Sequence, residues 1–295
     1  MTAAAPQGTN SAGLGWRSLT APLRSLTGRG APVVPVVRLS GVIAPRANFS
    51  QTLNLDSVAK LLARAFAMKS SPAVALVINS PGGSAVQANL IHQRIRALAA
   101  EKKKPVLAFI EDVAASGGYV IALAGDEIIA DPSSIVGSIG VVSAGFGFTG
   151  LLERIGVERR VYTAGKQKVM LDPFQPEKKS DIEHLKKLQG EIHDWFIALV
   201  KERRPGLADL PGLFDGAFWT GATAKSYGLV DRLGDARGVL RERFGPKVRL
   251  QVFGERRSAL RRWFGGGTAE GLAGASVGAI IAALEERAEW QRFGL

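Results

Sequence analysis

Asp112-Val-Ala-Ala-Ser-Gly-Gly-Tyr119 is the stretch on which the reading of this chain turns. It follows the apolar run Pro105-Val-Leu-Ala-Phe-Ile110 and leads into the apolar segment Tyr119 to Ala124. A strand that stops among small residues and resumes as a helix makes a strand-to-helix turn, with Ser116 at the helix start. Backbone N–H groups at such a helix start point past the serine, so the turn exposes a hydroxyl and offers donors to an oxyanion. The plainer alternative is an N-cap, because serine is among the residues preferred there. An element upstream and a lysine downstream bear on the choice.

The upstream element is Ala73-Val-Ala-Leu-Val-Ile-Asn-Ser-Pro-Gly-Gly-Ser84. An apolar run of strand length ends in Asn79 to Gly83, and a helical pattern runs from Ala85 to Ala100. Adjacent glycines after a strand let the backbone approach a ligand and turn an N–H toward it. As a bare turn Pro-Gly is ordinary loop punctuation. Paired with Ala-Ala-Ser-Gly-Gly, it resembles the Clp-protease/crotonase fold. That resemblance implies an α/β chain wound as a ββα superhelix of mostly parallel strands with flanking helices. It also implies that the two turns face each other, with the N–H groups of Gly83 and Gly117 forming an oxyanion hole.

The chain has 295 residues, 46% hydrophobic and 22% charged, enough for one sizeable core plus tails. Residues 1–31, rich in Ala, Gly, Pro, Ser and Thr, read as a flexible basic tail. Residues 32–253 read as the folded domain, and 254–295 as a basic extension that crosses Gly265-Gly266-Gly267 into a helix near Phe293. There is no cysteine, which excludes disulfides, thiol catalysis and cysteine-based metal sites. His92, His184 and His193 lack ligand spacing, so no metal and no cofactor are expected.

The formal charge is +12. Arg17, Arg24, Arg29, Arg256, Arg257, Arg261 and Arg262 flank Leu14, Trp16, Leu19, Leu23, Leu260, Trp263 and Phe264. Basic residues among apolar ones suit an anionic membrane surface better than nucleic acid, with a solvated surface as the other reading. The N-terminus lacks the apolar core of a signal peptide. Ser133 to Leu152 is uncharged but glycine-rich, and reads as a buried turn plus strand. Gly271 to Leu284 is too short to cross a bilayer. A bacterial protein, cytoplasmic or peripheral to the inner membrane, is expected.

Strands are expected at Val33–Gly41, Val74–Ile78, Val106–Ile110, Glu127–Ala130, Val136–Val142, Arg159–Thr163 and Lys247–Phe253. Helices are expected from Asp56, over Val86–Leu98, Gly118–Ala124 and Ala222–Tyr227, and over Glu177–Arg204. In the last of these, Ile182, Leu185, Leu188, Ile192, Phe196 and Leu199 share a face. Such alternation argues for a mostly parallel βαβ assembly.

A serine hydroxyl needs a base to take its proton. The Clp-type arrangement places a histidine after the strand that follows the serine helix, but Ser133 to Val141 contains none. Val161-Tyr-Thr-Ala-Gly-Lys-Gln-Lys-Val-Met170 carries two lysines among uncharged neighbours, and burial can lower a lysine pKa enough to make it a base. The chain resembles the signal peptide peptidase A/SohB family of Ser–Lys peptidases. The resemblance runs from Val36 to Val252, through Ile78-Asn-Ser-Pro-Gly-Gly83, Val113-Ala-Ala-Ser-Gly-Gly-Tyr119, Gly137-Ser-Ile-Gly140, Ala164-Gly-Lys-Gln-Lys168 and Gly228-Leu-Val-Asp231.

It implies Ser116 as nucleophile, Lys168 as general base with Lys166 as rival, and Ser138 as the serine that orients the lysine amine. Family members often carry an acidic residue after this lysine, where this chain has Val169. The substrates implied are extended apolar peptides such as remnant signal peptides, and Ile139, Val141 and Val142 are the expected groove residues. Single-domain relatives draw the serine from one subunit and the lysine from its neighbour, so a homo-oligomer with sites across interfaces is expected. A crotonase-type acyl-CoA enzyme and a non-catalytic scaffold of a membrane complex are the competing readings.

Overall fold

The computed structural model describes residues 30–45, 52–165, 167–254, 287–288 and 290–293. The expected tail 1–31 and extension 254–295 therefore lie almost wholly outside the described residues. Among the described residues the elements follow one another as β1 (Val33–Ser40), α1 (Leu55–Phe66), β2 (Val74–Ser80), α2 (Ala85–Lys102), β3 (Val106–Ala115), α3 (Gly117–Ala122), β4 (Glu127–Ala130), β5 (Ile135–Gly137), α4 (Thr149–Ile155), α5 (Lys179–Arg203), β6 (Phe218–Thr220), α6 (Gly221–Ser226), β7 (Arg232–Leu233), α7 (Ala236–Phe244) and β8 (Arg249–Phe253). The α/β alternation read from the sequence is the observed architecture.

All the strand pairs are parallel except β5 with β6, and the main order is β6-β5-β3-β2-β1-β8. The long strand β3 is where the sheet divides. Its first half, Leu107 to Ile110, pairs with β4, whereas Val113 to Ala115 pairs with β5. Between the halves lie Glu111 and Asp112, where the register against β2 slips: Ile78 faces Ile110 but Ser80 faces Ala114. A bulge of this kind bends a strand and re-aims its end. Here it carries Ser116 out toward the turns that follow β2 and β5.

Why the strands read as continuous apolar runs is plain from their two covered faces. Val37, Leu39, Leu76, Ile78, Ala108 and Ile110 pack under α1, α2 and α3 in the main core, with Leu62, Phe66, Ile91, Ile95 and Ile121. Val34, Val36, Val77, Leu107 and Phe109 face the opposite side, against Val239 and Leu240 of α7. Each large side chain so buried contributes roughly 2 kcal/mol. Helix α1 begins one residue before the expected Asp56, because Asn54 and Ser57 form a reciprocal capping box worth about 1 kcal/mol.

Three expectations need correction. Arg159–Thr163 forms no strand; Val161 and Tyr162 are exposed, with no neighbouring strand among the described residues to complete a ladder. Only Ile135–Gly137 of Val136–Val142 is strand, and Ser133–Leu152 is a buried turn and strand in its first part alone. Beyond Gly140 the chain runs exposed into α4, because no core element covers it. Helices α4 and α7 were not anticipated.

Candidate active site

The C-terminal ends of β2, β3 and β5 lie side by side, the usual place for a ligand in a parallel sheet. Ala115 pairs with Gly137, so Ser116 and Ser138 leave adjacent strands at the same level. Both take positive φ, +51° for Ser116 and +52° for Ser138, conformations uncommon for residues with a side chain. Neighbouring bonds hold this strain. The Ser116 N–H donates to the Gly137 carbonyl at 2.9 Å, while the Ser116 carbonyl accepts from Tyr119 and Val120 at 3.0 and 3.1 Å. Ser116 caps α3 with its backbone, yet its hydroxyl makes no capping bond. The hydroxyl is left for chemistry.

Two glycines are forced by their surroundings. A Cβ on Gly82 would come within 2.8 Å of the Ser116 Cβ, and one on Gly83 within 2.1 Å of the Ile43 carbonyl oxygen. Gly83 has φ +128° and is clamped by Ile43, whose N–H donates to Gly82 and whose carbonyl accepts from Ser84, both at 2.7 Å. Gly117 is the first residue of α3, so its N–H has no partner within the helix. The Gly83 N–H finds no acceptor among the described residues. A Cβ built on Gly117 would lie 3.6 Å from the Gly83 nitrogen, so the two amides are neighbours. They and Ser116 line one cleft of about 190 Å³.

The remaining walls are apolar. Val120, Val141 and Val142 line the cleft with Ile192, Trp195 and Phe196 of α5. Ile139 does not; it is fully buried in the main core. Its carbonyl accepts from the Gly216 N–H at 3.1 Å and bonds His193 Nε2 at 3.2 Å. Ser138 is 3% exposed, and its N–H donates to Ala217 at 2.6 Å. The α5 contribution was missed in the sequence: the amphipathic stripe was legible, but not what it would face. Arg292, the sole charged residue on the cleft wall among the described residues, carried no signal.

Lys168 is placed elsewhere. It is exposed on a turn over residues 167–171, its N–H bonded to Gly165 at 3.3 Å, and it does not line the cleft. Lys166 lies outside the described residues. The turn is tied down on both sides. Arg159 pairs with Asp172 and stacks on Phe174 at 4.7 Å, and the Leu171 N–H donates to Asp181 at 3.3 Å. The hydrogen bond from Arg159 holds the Asp172 carboxyl below its usual range. Among the described residues no cluster of metal-ligating side chains occurs.

Burial perturbs two groups beneath the site. It lowers the pKa of His92 against the opposing effect of its bond to the Val120 carbonyl, with Arg203 and Arg96 adding to the lowering. It also pushes the Tyr119 phenol upward, so Tyr119 stays a neutral donor to the Leu229 carbonyl at 2.8 Å. Both fasten α3, and through it Ser116, to the core.

Fold and cleft together define a class: parallel α/β proteins in which facing turns offer a hydroxyl and paired amides, an arrangement suited to acyl transfer. Residues 99–243 match Peptidase family S49. Putative protease slr0021 of Synechocystis sp. is 34% identical over 208 residues, covering 67% of this chain and 73% of that protein. The chain belongs to peptidase family S49, a family of serine-type peptidases, in its signal peptide peptidase A/SohB group.

A protein of Brucella abortus named Na(+)/H(+) antiporter NhaA is 58% identical over 271 residues, which is 89% of this chain but 37% of that protein. The shared region takes in most of residues 99–243, and no described helix is long and apolar enough to cross a membrane. The chain thus spans about a third of this much longer relative. A solved 1510-N membrane-bound stomatin-specific protease in complex with a substrate peptide shares the fold. Its TM-score is 0.50 at 16% identity, covering 79% of this chain and 97% of that one.

Proposed function

We propose that this chain is a serine endopeptidase acting on extended apolar peptides through a Ser–Lys dyad. The observation that carries the reading is Ser116, held at positive φ with an uncapped hydroxyl beside the Gly83 and Gly117 amides. Ser116 Oγ attacks the peptide carbonyl carbon while its proton passes to the Lys168 amine. The oxyanion is received by the two glycine N–H groups. Collapse breaks the C–N bond, and the leaving amine takes the proton from Lys168. Water then releases the acyl group from Ser116, its proton again taken by the lysine. Ser138, buried beside Ser116, is the residue to orient the incoming amine. Lys166 is the alternative base.

Because Lys168 does not line the cleft of its own chain, the lysine comes from a neighbouring copy of a homo-oligomer. Support lies in the segment from Val141 to Phe174, where Phe146, Leu151, Ile155, Val157 and Tyr162 are exposed with no core to cover them. Contiguous exposed apolar surface of this kind marks an interaction site. An apolar substrate suits the walls formed by Val141, Val142, Ile192, Trp195 and Phe196. Residues 32–253 form the peptidase domain, and the +12 charge favours work at an anionic membrane surface, peripheral to it or in the cytoplasm.

Hydrolysis of an apolar peptide by wild type, beside Ser116→Ala, Lys168→Ala and Lys166→Ala, tests the reading. Loss with the first two and retention with the third is expected; full activity in Ser116→Ala overturns it. A crotonase-type enzyme would tolerate Ser116→Ala and bind CoA, and a scaffold would leave Ser116 unlabelled by a fluorophosphonate.

A further inference from the structure

The cleft wall includes a residue far from every motif above. Arg292, on the short segment Trp290–Phe293, is the single charged side chain among the described residues lining the cleft that holds Ser116. The segment is seated by packing. Phe293 is 8% exposed and contacts Val113 and Ala115 of β3, with Ile135 of β5 and Trp290 beside it. Its ring meets Phe218 of β6 edge-on at 5.1 Å between centroids. Edge-to-face pairs and an apolar socket of this kind each favour one geometry.

Val113 and Ala115 lead directly to Ser116, and Ile135 leads to Ser138. The socket of Phe293 is therefore built on the two strands that carry the site, which places the backbone of Arg292 relative to Ser116 while its exposed side chain borders the cleft. Its guanidinium stacks near the Phe293 ring at 5.7 Å, and among the described residues no carboxylate pairs with it. A cation at the edge of an otherwise apolar cleft attracts an anion on whatever peptide lies there, more strongly than in open water.

We propose that Arg292 is a specificity-determining residue that pairs with a carboxylate of the bound peptide, and that Phe293 is the positioning residue that holds it. This rests on the peptidase reading of the same cleft. The carboxylate could be an acidic side chain or the terminal group of a fragment already cut once, and the test separates them. One apolar peptide is prepared with Glu or Gln at successive positions flanking the scissile bond, and each is made with a free or an amidated C-terminus. The kcat/KM ratio of each acid to its neutral twin is measured for wild type, Arg292→Gln, Arg292→Glu and Phe293→Ala.

Wild type should favour one acid by about fivefold, the range of a partly exposed ion pair. Arg292→Gln should bring that ratio to about one, Arg292→Glu should invert it, and Phe293→Ala should act like Arg292→Gln, with partial rescue by Phe293→Leu. A response confined to Glu identifies a side-chain carboxylate, and one confined to the free C-terminus identifies a terminal one. Ratios unchanged in Arg292→Glu, with cleavage still lost in Ser116→Ala, overturn the inference and leave the peptidase reading standing. Cleavage of no peptide by wild type overturns both.

Discussion

Ser116 and Lys168 belong to two regions built by different rules. The serine region is the parallel sheet with α1, α2 and α3, where Val113, Ala114, Ala115 and Tyr119 to Ala124 are all buried. Its turns at Gly82, Gly83 and Gly118 are held so closely by neighbouring backbone that a Cβ there would overlap it. The lysine region, from Val141 to the first half of α5, stands off that core: Phe146 is 75% exposed and Tyr162 90%. It has only small packings of its own, such as Phe148 on Phe174 at 5.4 Å and Arg159 on Asp172. The serine half is packed within one chain, whereas the lysine half, rich in charge, leaves Phe146, Leu151, Ile155, Val157 and Tyr162 uncovered. In the proposed homo-oligomer a second copy covers them.

The largest expected effect separates the two halves directly. Ser116→Ala and Lys168→Ala should each lower kcat by about 10⁴-fold or more, as removal of a nucleophile or its base does elsewhere. Mixed oligomers of the two variants should regain activity, because an intact serine can then meet an intact lysine; no regain at any mixing ratio refutes cross-subunit sites. Next, Gly83→Ala should unfold or disable the serine region alone, since its Cβ would overlap the Ile43 carbonyl. A loss of about 2–4 kcal/mol in urea unfolding is expected, with activity falling further as the amide turns away.

In the lysine region, Ile155→Glu should leave unfolding of the isolated chain within about 0.5 kcal/mol of wild type, as surface changes do. It should nevertheless shift the particle toward monomer in light scattering and take activity with it. Wild-type assembly in that variant would count against the surface as an interface. The smallest effect concerns His92, buried under α3. Its folded pKa lies below the ordinary 6.5, so the unfolded chain binds the extra proton first. The stability involved is whole above pH 6.5 and is lost as pH falls through the folded pKa. Urea midpoints at pH 8 and pH 5.5 should differ more in wild type than in His92→Gln, and an equal difference in both would remove His92 as the cause.

Legibility followed the same division. Strands β1, β2, β4 and the start of β3 could be read as apolar runs because both of their faces are covered over most of their length, which favours apolar residues at nearly every position, Arg38 and Glu127 apart. Gly82 and Gly83 stood out because only glycine fits where a backbone presses on a turn. Past Gly140 the same cues misled. Arg159 to Thr163 has strand composition, yet a strand is made by its partner, and none lies beside it among the described residues. Ile139, Val141 and Val142 are alike in residue type, yet only the two valines line the cleft, because Ile139 is buried in the main core. The α5 wall and Arg292 come from distant sequence that only folding brings to Ser116.

By itself the sequence determined the alternation of strands and helices, the identity of the hydroxyl and the glycines that face it, because local sterics and burial on both faces leave little choice of residue. The tertiary structure alone decided which valines meet the cleft, that an arginine from residue 292 borders it, and that Lys168 lies away from it, because these depend on which distant segments pack together rather than on what any one segment prefers.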